Sequence, residues 1–328
     1  MATRDANAAG PGRGVTVVGV DGAAESEVAI RWAAADAVSS GRRLHLVHAC
    51  TGPPLVHPPA GLAMPVPAPS RPLPHAERLL AAAADLARQV GPDLIVSAEA
   101  VGGPPVPTLL AAAADAVLLV VGRRGAGTRG RTLGGSTGAE LAARAGCPVV
   151  VVREQRRPAG PGAGRVVVGV DGSPASAAAI AFAVEQAAAR GTGVTAVHAF
   201  QVPVDPMLGQ RLPGSFDLGA RHAAADRLLE EAVAAWRPGA DLRVRAELGG
   251  ATGALIRAGS GADLVVVGAA GHSTVGRLLL GSVSRAVLHH ASGPVAVVHP
   301  APGATAATLH HRAPIGRTPA APIGWTHE

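Results

Sequence analysis

The stretch "VVGRRGAGTRGRTLGGST", residues 120–137, contains six glycines directly after an apolar run. A second stretch, "VVGAAGHSTVGRLLLGSV" at 266–283, keeps the spacing of its glycines and changes most of the other side chains. An apolar run that ends in such a glycine pattern predicts a buried strand, a loop and then a helix. The matching residues are Gly122, Gly125, Gly135 and Ser136 in the first stretch and Gly268, Gly271, Gly281 and Ser282 in the second.

The rest of the chain repeats in the same order, which indicates a duplication. "VTVVGVDGAAES" at 15–26 matches "RVVVGVDGSPAS" at 165–176, "RLHLVHAC" at 43–50 matches "GVTAVHAF" at 193–200, and "CPVVVV" at 147–152 matches "GPVAVV" at 293–298. We therefore predict two domains, at 14–153 and 165–300. A Pro- and Gly-rich linker at 154–164 separates them, and we expect disordered ends at 1–13 and 301–328.

Each half alternates short apolar strands with alanine-rich helical segments, which predicts an α/β fold. The strands are continuous runs of valine and leucine, a pattern typical of parallel strands that are buried on both faces. Right-handed crossovers bring the carboxyl ends of such strands to one edge, where ligands bind in sheets of this kind. We expect three features of each half to meet there: Asp21 or Asp171, His48-Ala49 or His198-Ala199, and the glycine pattern.

Composition excludes several function classes. The 328 residues are 48% hydrophobic and 16% charged, as in a globular protein with a sizeable core. All of the cationic side chains are arginine and only 2% of residues are aromatic, so the net charge of +6 does not indicate a nucleic-acid platform. Cys50 and Cys147 resemble small core residues more than a disulfide or metal pair. Without a signal peptide or a membrane-length apolar run, we expect a cytoplasmic protein.

The glycine pattern has two interpretations. The glycines could only turn the chain, because glycine tolerates a positive φ. Alternatively, Ser136 and Ser282 begin helices whose free amides and dipole suit a phosphate group. The pattern is neither a P-loop, which requires a lysine that the chain lacks, nor a G-x-G-x-x-G fingerprint.

Other polar residues carry weaker signals. His48 and His198 stand at strand ends without a nucleophile motif nearby, so a structural, hydrogen-bonded histidine is the better interpretation. We expect Asp36, Asp85 and Asp115 on solvated helix faces or at helix ends. No acid/base pair or metal-ligand spacing stands out, so no catalytic residue or metal site is predicted.

G-x2-G-x9-G-[ST] after an apolar strand, together with an upstream "VGVDGS", resembles the universal stress protein family. The likeness covers 14–152 and 165–299 and is similar to the tandem, ATP-binding members of actinobacteria. It implies two tandem Rossmann-like (adenine nucleotide alpha hydrolase-like) domains, each a five-stranded parallel sheet flanked by helices. It also implies pairing through the last strand, either within the chain or in a homodimer, and binding of ATP, with or without Mg²⁺.

The resemblance assigns nucleotide contacts residue by residue. Gly19 and Gly169 would leave room for the base, the two aspartates would meet the base or ribose, and Ala49 and Ala199 would offer backbone to the adenine. The first copy reads "GGSTG" where the family pattern is G-S-V-[ST]; Thr137 could substitute, but Gly138 offers no hydroxyl. The second copy reads "GSVS", so we expect the second site to fit better. Arg123 and Arg124 could pair with phosphates or could simply be solvated. The remaining phosphate residues are Gly122, Gly125, Gly135, Ser136, Gly268, Gly271, Gly281, Ser282 and Val283.

Three functions stay open from the sequence. The first is an ATP-binding regulatory module for stress responses, which acts on an unknown protein partner and has no strong catalytic activity. The second is a slow ATPase, for which no general base is evident. The third is an interaction module that has lost its nucleotide.

Overall fold

A computed structural model describes residues 14–50, 74–123, 136–154, 160–201, 217–271 and 280–300. The predicted disordered ends lie outside these residues, as do Arg124, Gly125 and Gly135. In both halves strands alternate with helices, as the sequence predicts, and the repeat is preserved element by element.

The first domain contains five strands and four helices among the described residues. The strands are β1 (Val15–Gly19), β2 (Arg43–Cys50), β3 (Val96–Gly102), β4 (Leu118–Gly122) and β5 (Val149–Val152). The helices are α1 (Ala24–Ser40), α2 (Pro74–Val90), α3 (Pro105–Ala112) and α4 (Ser136–Arg144). The end of α1 follows from a local signal, because Gly41 has a left-handed φ of 62° and its amide bonds the last helical carbonyls.

The second domain repeats this plan. Its strands are β6 (Arg165–Gly169), β7 (Gly193–Phe200), β8 (Leu242–Leu248), β9 (Leu264–Gly268) and β10 (Val295–Val298). Its helices are α5 (Pro174–Arg190), α6 (Leu218–Val233), α7 (Ala251–Ala258) and α8 (Ser282–His290), with a 3₁₀ helix at Ala234–Gly239 after α6. Gly191 ends α5 with a φ of 63°, as Gly41 ends α1.

All ten strands form one sheet, in the order β3-β2-β1-β4-β5-β10-β9-β6-β7-β8. Within each domain the pairs are parallel, whereas β5 and β10 pair antiparallel, with Val295 opposite Val151 and Val297 opposite Val149. The implied pairing through the last strand is therefore confirmed within the single chain. The central valines lie between two apolar layers of helices, which explains why these strands have no polar face.

Asp36 is the clearest correction to the sequence analysis. We expected it on a solvated face, but only 1% of the residue is exposed. It lies where α1 of the first domain crosses α5 of the second, 2.9 Å from Arg190 Nη2 and 3.4 Å from Arg42 Nη1. Arg42 also pairs with Glu185, and the Arg190 guanidinium lies 4.9 Å from the centre of the Trp32 ring. A polar network thus joins the two domains on this face of the sheet.

The two cysteines differ in their surroundings. Cys147 is buried, and desolvation raises the pKa of its thiol to about 11, so it behaves as the predicted core residue. Cys50 ends β2 and is only partly buried.

Asp85 and Asp115 are exposed, as predicted. None of the helices in the described part of the chain is long and apolar enough to cross a bilayer.

Arg165 joins three strands at the amino edge of the second domain. It is 8% exposed, and its Nη1 lies 2.5 Å from Asp241 Oδ2 while its Nη2 donates to the carbonyl of Val194. The hydrogen bond from Arg165 holds the pKa of the Asp241 carboxyl below its ordinary value. The folded protein therefore keeps this carboxylate ionised at a lower pH than the unfolded chain does.

We expect Asp241→Asn to lower the thermal midpoint at pH 7, because it removes the carboxylate that pairs with Arg165. A depressed pKa stabilises the fold fully above the ordinary value of about 3.9 and no longer does so once the pH falls through the folded pKa. The difference between variant and wild type should therefore shrink in thermal melts between pH 5 and about pH 3. An equal difference at both ends of this range would contradict the assignment, and the exposed Asp115→Asn serves as control.

Candidate functional site

A cavity of about 300 Å³ opens at the carboxyl edge of the sheet in the second domain. Its lining contains the end of β6, the end of β7, the loop that follows β9 and the first turn of α8. Its volume lies at the lower end of the range typical of small-molecule sites. All eight residues predicted for the second copy line this one cavity: Gly169, Asp171, Ala199, Gly268, Gly271, Gly281, Ser282 and Val283.

Three helices begin at the cavity wall. Ser173 and Ser176 at the start of α5, Ala251 at the start of α7 and Ser282 at the start of α8 all line it. The first helical bond of α8 runs from the Arg285 amide to the Gly281 carbonyl, so the three amides before Arg285 precede the bonded part of the helix. None of these three helices, all within the described ranges, has an acidic residue in its first turn. Their amino ends suit a bound anion, although the lining also contains the Asp171 carboxylate.

Gly268, at the end of β9, allows close packing. It does not form the positive-φ turn that was one interpretation of the glycine pattern. Gly268 does not have a positive φ; instead, a Cβ there would lie 2.8 Å from the Ala175 carbonyl carbon, in the first turn of α5. Gly122 repeats this in the first domain, at 2.7 Å from the Glu25 carbonyl oxygen. The strand end therefore needs glycine because a helix backbone touches it. That contact also brings the amino end of α5 against the loop.

Gly271 and Gly281 have different surroundings. A Cβ on Gly271 would lie 2.6 Å from Asp171 Oδ2, so the loop after β9 passes directly beside this carboxylate. A Cβ on Gly281 would meet nothing nearer than 3.5 Å, and its φ of −60° suits any residue. The contact at 271 is with a side-chain oxygen, so it favours glycine less strictly than the backbone contact at 268 does, and no packing contact accounts for glycine at 281.

Two titratable side chains line the described part of the cavity, and both are engaged with backbone. Asp171 Oδ1 accepts the Ser173 amide at 2.9 Å, and His198 Nδ1 lies 2.7 Å from the Val170 carbonyl. His48 repeats the second bond with the Val20 carbonyl at 2.7 Å. This confirms that the histidines are hydrogen-bonded at the sheet edge. Because the carbonyl requires a proton on Nδ1, the neutral ring has its acceptor at Nε2.

Three serines outside the predicted site residues also line the cavity: Ser173, Ser176 and Ser284. Ser173 caps α5 by accepting the Ser176 amide at 3.2 Å, and Ser284 Oγ donates to the Gly268 carbonyl at 2.6 Å. The Ser-Pro pair before a helical run could have identified the cap at 173. The role of Ser284 has no local signal, because the carbonyl that it contacts belongs to a strand sixteen residues earlier.

The first copy is only partly described. Gly19, Asp21, Ala49, Gly122 and Arg123 lie at the corresponding strand ends, where the Ala23 amide donates to Asp21 Oδ1 at 3.0 Å. Ser136 and Thr137 begin α4. In place of Ser284 this copy has Gly138, which packs against Val151.

Charge also differs between the copies. Helix α1 has Glu25 and Glu27 in its first turn, where α5 has alanines. These carboxylates already complement the helix dipole and oppose a second anion.

Among the described residues, no group of three His, Cys, Asp or Glu side chains could hold a metal ion.

Comparison with known proteins gives a consistent picture. The model of the Universal stress protein family matches residues 14–153 and 162–299. The universal stress protein Rv2005c of Mycobacterium tuberculosis is 37% identical over 290 residues, which cover 86% of this chain and 95% of that protein. A universal stress protein of Mycolicibacterium smegmatis is 35% identical, covering 87% and 96%. The crystal structure of a universal stress protein from Archaeoglobus fulgidus superposes with a TM-score of 0.60 at 19% identity, covering 88% of this chain and 96% of that one.

Proposed function

Because the chain belongs to the universal stress protein family, with two copies of its domain in tandem, we propose that it is a cytoplasmic regulatory module that binds ATP. The observation that carries the proposal is the cavity of the second domain, which unites all eight predicted residues with the amino ends of three helices. Such a site holds an anion with backbone amides and needs no lysine.

The lining residues suggest how ATP would lie. The triphosphate would face the amino end of α8, where Gly281 leaves the amides open and Ser282 adds a hydroxyl donor. Asp171, an acceptor when ionised, would bond a ribose hydroxyl or the adenine amino group. Ala199 and Gly169 would border the base with backbone. Mg²⁺ could accompany the phosphates, held chiefly by them, as is usual for this ion.

We favour regulation by binding over turnover because no acid/base motif stands out in the sequence. His198 Nε2 remains an acceptor in the described lining, and the hydrolysis assay below tests whether it acts as a general base. A module of this kind would act by changing its contacts with a protein partner when ATP binds. The second domain is the main site in this proposal, because the first turn of α1 carries two glutamates.

We expect equilibrium dialysis of the purified chain to show about one ATP bound per chain at micromolar to millimolar ATP. The proposal would be overturned if the purified protein bound no ATP at millimolar concentration and if no nucleotide could be extracted from protein taken directly from cells. Hydrolysis measured in the same samples decides whether the alternative of a slow ATPase holds. The expected result is turnover no faster than that of the Gly281→Asp variant.

A further inference from the structure

The residue after the last strand of each domain contacts the last helix of the other domain. Arg153 follows β5, and its Nη1 donates to the carbonyl of His289 at 3.2 Å and to that of Ala291, both at the end of α8. His299 follows β10, and its Nε2 lies 2.8 Å from the carbonyl of Ala142 in α4. The two contacts are equivalent under the approximate twofold relation of the domains.

The antiparallel strand pair explains why these contacts form. Val295, at the start of β10, lies opposite Val151, near the end of β5. Helix α8 ends at His290, shortly before β10 begins, so the chain that leaves β5 emerges beside the carboxyl end of α8. Arg153 therefore reaches terminal carbonyls that have no partner within their own helix.

Arg153 is well placed to fix this helix end. It is only 9% exposed, and a cation at a helix carboxyl terminus is favourable. With nine residues, α8 is too short to be stable by itself, so its position depends on the core packing of Val287 and Leu288 and on the contacts at its two ends. At the amino end those contacts come from the second domain, through Ser284 to Gly268 at 2.6 Å and the Gly281 amide to the Ala269 carbonyl at 2.8 Å.

We infer that Arg153 of the first domain is a positioning residue for the nucleotide site of the second. One end of α8 faces the cavity, and the other end is held across the domain boundary by this arginine. The inference rests on the proposed function, since the amino end of α8 is where the phosphates would bind. Linkage then requires that nucleotide binding in the second domain also strengthens the contact between the domains.

The test compares ATP with adenosine in the full chain. Arg153→Gln should weaken ATP binding about fivefold, because the phosphates depend on the position of α8. Adenosine affinity should stay within about twofold, because the base and ribose lie against the strand ends instead. General damage to the second domain would lower both affinities together. Arg153→Lys, which keeps the charge, should recover part of the loss.

Arg237→Gln is the matched control. It also removes one positive charge, but from a surface pair with Glu230 on the second domain. It should leave both affinities unchanged. Equal losses for ATP and adenosine in Arg153→Gln, or no loss at all, would overturn the inference while the proposed function stands.

Hydrogen exchange tests the role of Arg153 in holding α8 separately from the proposed binding of ATP. In nucleotide-free protein, Arg153→Gln should speed exchange in the last turn of α8, where the Ala291 amide bonds the Val287 carbonyl at 2.9 Å, and should leave α6 unchanged. If wild-type protein binds no ATP, the proposed function fails, and exchange alone then shows whether Arg153 holds α8. Unchanged exchange would overturn that role as well.

Discussion

Gly281→Asp should lower the affinity for ATP at least about a hundredfold without loss of the fold. The new carboxylate would stand at the amino end of α8, where it would occupy the open amides and repel the phosphates. Its Cβ would meet nothing nearer than 3.5 Å, and a φ of −60° with a ψ of 157° suits aspartate. Aspartate is also a preferred N-cap residue, so the free energy of unfolding should stay equal or rise by a few tenths of a kcal/mol.

Gly281→Asn separates charge from size. Asparagine has the same shape and also caps helices well, but it brings no negative charge. We expect it to weaken ATP binding much less than aspartate does, as measured by titration calorimetry beside a thermal melt of each variant. If the aspartate variant binds ATP as wild type does and melts no lower, the phosphates do not bind at α8, and the proposed site is wrong.

Asp36→Ala should destabilise the protein by about 3 kcal/mol, because it removes the buried carboxylate that pairs with Arg190 and leaves Arg42 paired with the exposed Glu185. The Asp36 side chain is fully buried between Arg42 and Arg190, whose side chains are 10% and 16% exposed. One arginine belongs to each domain, so the loss should also loosen the packing of α1 against α5. Urea denaturation measures the loss in the free energy of unfolding.

Asp85→Ala provides the control for this prediction. Asp85 pairs with Arg88 on the surface of α2, with side chains 71% and 51% exposed, and such pairs contribute at most about 1 kcal/mol. In addition, Asp36→Ala combined with Arg190→Ala should cost less than the sum of the single changes, because the two residues share one interaction. Additive losses, or a small loss for Asp36→Ala alone, would show that the network does not stabilise the domain contact.

The sequence does not reveal why Gly122 and Gly268 must be glycine. The spacing identified Gly122 and Gly268 as constrained positions, but a turn and a close approach require the same residue type. Only the neighbouring helix backbone, 2.7 to 2.8 Å from the missing Cβ, shows that close packing is the reason. Gly281 resembled the others in sequence, although its surroundings leave room for a side chain.

The sequence by itself determined the secondary structure, the duplication and the edge of the sheet at which the site lies. The alanine-rich helical segments fold as α1 and α5, and each ends at a glycine, because helical periodicity and terminal glycines are local signals. Parallel topology then follows from the alternation of strands and helices. Topology predicted the edge at which the site lies, whereas the individual residues of the second cavity were named from the family resemblance.

Only the tertiary structure decided which side chains connect the two domains. Asp36 lies in a helix whose sequence gives no sign that a second helix will cover it, and Arg153 is the last residue before the predicted linker. Their partners, Arg190 and the end of α8, are more than 130 residues away. Contacts of this kind depend on how strands β5 and β10 align, and no local pattern of residues encodes that alignment.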